Sequence, residues 1–167
     1  EISKVYDAAL RFMKRASEVA AENGKTEMAT GLVNLTENAP SNLFEAMQTT
    51  IIYYVLQTVF EGTYLRTLGR FDSLFYPFFV KESKNNVKAL FLDYLKEIDQ
   101  LKAPSNIPFA LGGTDIFGND LINELSYIIL DAYTKANTNN TKIHMLCTEN
   151  TPEDIIKEGG ELTEGEG

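Results

Sequence analysis

Periodic apolar positions predict most of the helices of this chain. Residues 2–23 and 85–101 repeat apolar side chains every three or four positions, as amphipathic helices do, and a shorter helix is predicted over residues 26–37. Residues 44–60 are apolar on nearly every face. A helix of that composition has to be covered on several sides, so this pattern indicates a larger body than the chain alone supplies.

Two short strands are predicted in the second half of the chain. Residues 107–111 and 142–148 are apolar runs next to turn residues, and the amphipathic pattern of residues 119–137 predicts a helix between them. A strand, a helix and a second strand in this order form a βαβ unit, so the strands should lie parallel with a right-handed crossover. The pattern therefore predicts a helix-rich α/β fold.

The stretch Glu61–Phe79 connects the apolar helix to the amphipathic one and contains Arg66 and Arg70. Gly62 and Gly69 lie in the same stretch, where they indicate backbone bends that a side chain would obstruct. Arginines on such a segment either bind anions or clamp carboxylates of the protein itself, the clamp being the commoner role. The dense aromatic residues at the end of the stretch are predicted to fill the core.

Charge and cysteine content restrict the class of protein. The 167 residues carry a formal net charge of −9, which disfavours nucleic acid and membranes as partners because both bind basic surfaces. The one cysteine, Cys147, cannot form an internal disulfide and fits a reducing cytoplasm. No apolar run is long enough to span a bilayer. Residues 1–158 are predicted to form one domain, and residues 159–167 a disordered acidic Gly/Glu tail or linker.

Residue types that carry chemistry are sparse. Cys147 and Glu149 could pair a thiol with an acid or base, but the spacing favours the plainer interpretation, in which Cys147 is a small residue that finishes a buried strand. His144 has no partner at ligand spacing, so we expect a core or edge residue. Residues 115–120 resemble a calcium loop only faintly and lack its closing glutamate, so we expect a turn and no metal site.

Four segments resemble the glycyl radical enzymes of the pyruvate formate-lyase and glycerol dehydratase type. Residues 68–79, Leu-Gly-Arg-Phe-Asp-Ser-Leu-Phe-Tyr-Pro-Phe-Phe, are the most specific of them. Residues 38–47, 111–127 and 143–155 agree in the same order along the chain. The resemblance covers nearly the whole chain except the tail.

The resemblance implies a ten-stranded α/β barrel, of which this chain would be an internal fragment with parallel strands near residues 107–111 and 142–148. Family members use a glycyl radical, installed by an activase that uses S-adenosylmethionine and an iron–sulfur cluster, to form a thiyl radical on a barrel cysteine. No glycine is followed by tyrosine here, and Cys147 lacks the preceding glycine of the family's cysteine loop. We therefore expect both radical-bearing loops to lie outside this chain, which would be inactive alone, with no catalytic residue in it.

Tyr64, Arg66, Thr67 and Arg70 are expected to contact the substrate. Tyr64 and Leu65 occupy the places where many dehydratases of the family have His-Ser, which disfavours a diol; Arg66 could meet a carboxylate. The chain is expected to be a piece of a longer polypeptide.

The expected partners are the remainder of the barrel chain, the radical activase, a small-molecule substrate and a second copy in a homodimer. The expected activity is an anaerobic, cytoplasmic lyase or a formate acetyltransferase-like transferase. The alternative is a non-catalytic acidic interaction module on a degenerate copy of the fold.

Overall fold

The computed structural model describes three stretches of the chain, residues 2–62, 67–101 and 106–164, and of residues 161–164 only the backbone. None of the helices in these stretches is both long and apolar enough to cross a lipid bilayer. The chain divides into two compact units, residues 1–63 and 64–167. The single domain expected for residues 1–158 stays a prediction, and the two units are described in turn.

The first unit is helical in its described part, with helices α1 (Ile2–Glu22), α2 (Thr26–Asn34) and α3 (Leu43–Glu61). Helix α1 lies where apolar periodicity predicts it, α2 ends three residues before its predicted end, and α3 coincides with the apolar run of residues 44–60. Gly24 follows α1 with a φ of 72°, a left-handed conformation that favours glycine, and Lys25 N donates to Ala20 O at 2.8 Å. Asn42 caps α3, since its side chain accepts a hydrogen bond from Glu45 N at 2.9 Å.

Much of the apolar surface of the first unit is exposed in this chain. On α1, the exposed fractions of Ile2 and Tyr6 are 76% and 68%, and on α3 those of Tyr53 and Val59 are 60% and 70%. Large apolar side chains exposed together are typical of a surface that packs against another body. The exposure agrees with the expectation that α3 needs more cover than this chain supplies.

The second unit consists, in its described part, of helices α4 (Phe71–Phe79), α5 (Lys84–Gln100), α6 (Glu124–Ala136) and α7 (Glu153–Glu164) and strands β1 (Ile107–Gly112) and β2 (Thr141–Leu146). Helix α6 begins five residues later than predicted because Asn123 caps it. The Asn123 side chain accepts from Leu125 N at 2.9 Å, and Ser126 Oγ accepts from Asn123 N at 3.0 Å.

Strands β1 and β2 pair in parallel, in register from Ile107 opposite Thr141 to Gly112 opposite Leu146. The helix between them makes the βαβ unit that the sequence predicts, and the parallel pairing is confirmed. Strand β2 ends two residues before the predicted end, so Cys147 lies beyond it.

An aromatic cluster joins α4, α5 and β1. Phe71 stacks on Phe109 with ring centroids 4.3 Å apart, and Phe75 meets Phe71 at 5.1 Å and Phe91 at 5.8 Å. These four rings are fully buried, which confirms the predicted aromatic core. Pro77 lies inside α4 rather than breaking it, since it stands in the last turn and removes only one helical hydrogen bond.

The disordered tail predicted for residues 159–167 is wrong over residues 159–164, where α7 continues to Glu164. Gly159 lies on the side of α7 that packs against β2, and a Cβ built there would overlap the Met145 sulfur. Close packing on Met145 therefore offsets the low helix propensity of Gly159, whereas Gly160 is exposed and a Cβ built there would meet nothing within 4 Å. Residues 165–167 lie outside the described residues.

Candidate functional site

Residues 67–70 lie along β1 on the edge that β2 leaves free. Leu68 N donates to Pro108 O at 2.8 Å, Ala110 N donates to Gly69 O at 2.9 Å, and Arg70 forms a parallel bridge with Ala110. Backbone groups of successive strand residues point to opposite edges, so this run and β2 flank β1 on its two sides. All three run in the same direction, so their carboxyl ends lie together along one end of the sheet, which is called its carboxyl edge.

A pair of glycines terminates β1 at that edge. Gly112 and Gly113 have φ values of 75° and 89°, and Gly113 N donates to Leu146 O at 2.7 Å. A Cβ at Gly112 would lie 2.8 Å from Ile122 Cδ1, so a side chain there would displace its neighbours. Both positions therefore require glycine, because the turn is left-handed and closely packed.

Asp72 is a fully buried carboxylate that ties this turn to two helices. Its Oδ2 accepts from Gly112 N and from Ser126 Oγ, both at 2.7 Å, and its Oδ1 accepts from Ser73 N at 2.8 Å. Burial raises the pKa of the Asp72 carboxyl, while these hydrogen bonds and the Arg70 charge act in the opposite direction. The carboxylate connects the beginnings of α4 and α6 to the end of β1.

Sequence reasoning missed Asp72. The signal available was a lone aspartate in the first turn of an otherwise aromatic segment, a position where a carboxylate either caps the helix or is buried with donors. The donors themselves come from residues 40 and 54 positions further along the chain, Gly112 and Ser126. No spacing in the sequence relates them to Asp72.

Arg70 lies beside the glycine turn with a half-buried side chain. Its Nη1 donates to Thr114 O at 3.2 Å, and a Cβ at Gly113 would lie 3.1 Å from the same nitrogen. Arg70 forms no ion pair with any residue of the described stretches. The contact seen is thus with a backbone carbonyl, not with the carboxylate that the clamp interpretation expected.

Of the other three predicted substrate contacts, only Thr67 is described. It is exposed, and its Oγ1 accepts from Gly69 N at 3.2 Å. Tyr64 and Arg66 lie outside the described residues. Thr67 and Arg70 are therefore the predicted contacts that can be placed, both on the run beside β1.

A second carboxylate, Asp120, ties the ends of the sheet to the loop after β1. Its Oδ2 accepts hydrogen bonds from the hydroxyls of Thr148 and Thr151, and its Oδ1 accepts from Ile122 N at 2.8 Å. Although burial acts to raise the pKa of Asp120, these hydrogen bonds together lower it. Asp120 was predicted only as part of a turn, and its threonine partners lie beyond β2.

The loop of residues 115–119 is a hydrogen-bonded turn, as predicted. Asp115 Oδ1 accepts from Phe117 N at 2.8 Å and from Asn119 N at 2.9 Å, so its carboxylate is engaged by the loop's own backbone. No group of three or more histidine, cysteine, aspartate or glutamate side chains that could hold a metal ion occurs within the described part of the chain.

Cys147 and His144 are not brought into a reactive arrangement. Both are exposed, Cys147 just past the end of β2 and His144 on β2 itself. The expectation that Cys147 finishes a buried strand is wrong, because β2 ends at Leu146 and its last residues are only partly covered in this chain. His144 was expected to be a core or an edge residue. It is exposed on β2, which in the described part of the chain pairs with β1 alone, so it is an edge residue.

Comparison with known proteins places these features in a family. The model of a family described as PFL-like, pyruvate formate lyase-like, matches residues 2–165. The chain is 22% identical over 180 residues to (2S)-3-sulfopropanediol dehydratase of Klebsiella oxytoca. This alignment covers 89% of this chain and 22% of the dehydratase.

Two solved structures share the fold. A glycyl radical enzyme from Archaeoglobus fulgidus superposes with a TM-score of 0.77 at 21% identity, over 93% of this chain and 24% of that one. Hydroxyproline dehydratase from Clostridioides difficile, solved with trans-4-hydroxy-L-proline, superposes with a TM-score of 0.66 at 17% identity, over 94% of this chain and 23% of that one. The chain spans less than a quarter of the length of these relatives. Since the family model matches almost every residue, the chain belongs to the pyruvate formate lyase-like family, and its fold is that of the glycyl radical enzymes.

Proposed function

We propose that this chain is part of the barrel domain of a glycyl radical lyase that dehydrates a small metabolite. The observation that carries the proposal is the family match over residues 2–165. Two of the relatives are by name dehydratases, of (2S)-3-sulfopropanediol and of hydroxyproline, which favours elimination of water over acyl transfer.

The radical machinery lies, in this proposal, in the remainder of the polypeptide. The glycyl radical supplies hydrogen-atom abstraction through a cysteine thiyl radical, and an activase with S-adenosylmethionine and an iron–sulfur cluster installs it. This chain contributes one side of the substrate cavity and is inactive alone. The whole enzyme works in the anaerobic cytoplasm and forms a homodimer.

The substrate contacts in this chain are Tyr64, Arg66, Thr67 and Arg70. The location of Thr67 and Arg70 supports the assignment, because the run of residues 67–70 ends at the edge where β1 and β2 also end. Ligands of α/β folds with parallel strands bind at the carboxyl ends of those strands.

Reading the complete coding frame tests the proposal first. It should continue into a Gly-Cys-x-Glu loop and a glycine followed by tyrosine. The complete polypeptide, activated anaerobically with its activase, should then show a glycyl radical signal by electron paramagnetic resonance, and the 167-residue chain should show none. A complete frame that lacks both loops would exclude catalysis and favour the non-catalytic interaction module.

A substrate panel tests the reaction class. The activated enzyme is supplied with (2S)-3-sulfopropanediol, trans-4-hydroxy-L-proline and pyruvate with coenzyme A, and the products are identified by mass spectrometry. Loss of water from a substrate supports the dehydratase assignment. Formation of an acyl-coenzyme A would replace it by the transferase.

A further inference from the structure

The half-buried guanidinium of Arg70 is at the edge of the sheet where three parallel runs end. One of its nitrogens is held by the Thr114 carbonyl at 3.2 Å, a neutral acceptor that fixes the side chain without cancelling its charge. A guanidinium carries five N–H donors in a planar fork, and among the described residues only the Thr114 carbonyl accepts from it, so most of its donors are left for another acceptor.

Asp72 interacts electrostatically with Arg70 but forms no ion pair with it. The two Asp72 oxygens accept from Gly112 N, Ser126 Oγ and Ser73 N. No other carboxylate of the described stretches forms an ion pair with Arg70. A half-buried arginine that forms no ion pair with the described residues is a site that favours an external anion.

The backbone around Arg70 keeps the approach to it open. Gly113 adopts a φ of 89°, and any Cβ there would come within 3.1 Å of Nη1. Gly69, directly before Arg70, adopts a φ of 92°, and a Cβ at that position would meet nothing within 4 Å. Gly113 therefore leaves space beside the guanidinium that a side chain would fill.

We propose that Arg70 and the turn Gly112–Thr114 form an anion subsite that binds the carboxylate or sulfonate group of a small organic substrate. This proposal rests on the proposed function, because it takes the bound anion to be one end of the substrate that the enzyme dehydrates. Both groups present two oxygens that match the guanidinium fork. The opposite end of the substrate would then extend along the sheet edge toward the rest of the cavity.

Nuclear magnetic resonance titration of the ¹⁵N-labelled 167-residue chain tests the subsite. The probes are acetate, methanesulfonate and inorganic phosphate, with acetamide as the neutral match for acetate at equal ionic strength. Saturable shifts of the Gly112, Gly113 and Thr114 amides and of Arg70 Nε–H with the organic anions, and none with acetamide, are expected. Stronger binding of phosphate than of either organic anion would overturn the substrate class.

Three variants distinguish anion binding by the Arg70 side chain, through its charge and its planar guanidinium, from a general electrostatic effect of the chain. Arg70→Gln should weaken acetate binding by about ten-fold or more, Arg70→Lys should weaken it less because the charge stays, and Arg15→Gln on exposed α1 should leave it unchanged. Equal shifts in wild type and Arg70→Gln would overturn the subsite. If Arg70→Gln does not fold, the wild-type Arg70 Nε–H response decides alone, and its absence refutes the proposal.

The outcome is independent of the radical chemistry. A complete enzyme that dehydrates a neutral substrate, with a chain that ignores anions, would leave the proposed function standing and remove the subsite. If the 167-residue chain binds anions but the complete coding frame lacks the radical loops, the subsite stands and the proposed function is excluded.

Discussion

Replacing Asp72 by alanine should destabilise the second unit strongly, because this carboxylate is fully buried and accepts hydrogen bonds from buried donors. The substitution leaves Gly112 N–H and Ser126 Oγ–H, both buried, without their acceptor. Each unsatisfied buried donor costs about 1–3 kcal/mol, and relief of the buried carboxyl's own desolvation offsets part of that sum. We expect a net loss of about 2–4 kcal/mol in the free energy of unfolding.

The matched control is Asp115→Ala. Asp115 also accepts from two backbone amides, Phe117 N and Asn119 N, and from the Asn119 side chain, but it does so in an exposed loop. Water can replace those hydrogen bonds, so the loss should be much smaller than that of Asp72→Ala. Urea unfolding followed by circular dichroism measures both variants, and equal losses would refute the argument from burial.

The pH dependence gives an independent check on Asp72. Because burial raises its folded-state pKa, folding takes up a proton in the interval between the unfolded and the folded pKa. The Asp72 carboxyl makes its full contribution to stability at pH values below its pKa in the unfolded state, about 4. That contribution is lost as the pH rises through its pKa in the folded state. Asp72→Asn removes the titration, so the stability of wild type relative to this variant should fall as the pH rises above about 4. A difference that grows with pH instead would show that the hydrogen bonds outweigh burial.

Three further predictions concern the turn, the last helix and Asp120. Gly113→Ala should cost more stability than Gly118→Ala by about 1 kcal/mol or more, since both have positive φ but only Gly113 lies against Arg70; equal thermal melts would contradict the close approach. Gly160→Ala should stabilise α7 by up to about 1 kcal/mol, because a Cβ at Gly160 would meet nothing within 4 Å and alanine favours a helix. Gly159→Ala should not stabilise it, because a Cβ at Gly159 would overlap the Met145 sulfur. A more stable Gly159→Ala than Gly160→Ala in urea unfolding would refute the packing of Gly159 on Met145. Asp120→Asn should lower the stability at pH 7, because a neutral amide oxygen accepts from the Thr148 and Thr151 hydroxyls less strongly than a carboxylate does. The difference from wild type should shrink as the pH falls through the folded pKa of Asp120, which is lowered despite burial. A pH-independent difference in urea unfolding would exclude the charge of Asp120 as the cause.

The sequence determined the local structure because local structure depends on neighbours in the chain. Apolar periodicity placed α1 and α5, and a continuous apolar run placed α3. The βαβ order predicted the parallel pairing of β1 with β2, and residues 68–79 with three other segments indicated the family. The extent of α7 was predicted wrongly in part because Gly159 packs on Met145, a contact that composition does not record.

Tertiary structure alone decided which residues form the site. Asp72 meets Gly112 and Ser126 only because α4, β1 and α6 converge, and Arg70 meets Thr114 only because residues 68–70 pair along β1. These partners are 40 or more positions apart in sequence. A hydrogen bond requires its two atoms to be within about 3 Å, and only the folded backbone brings such distant residues to that separation.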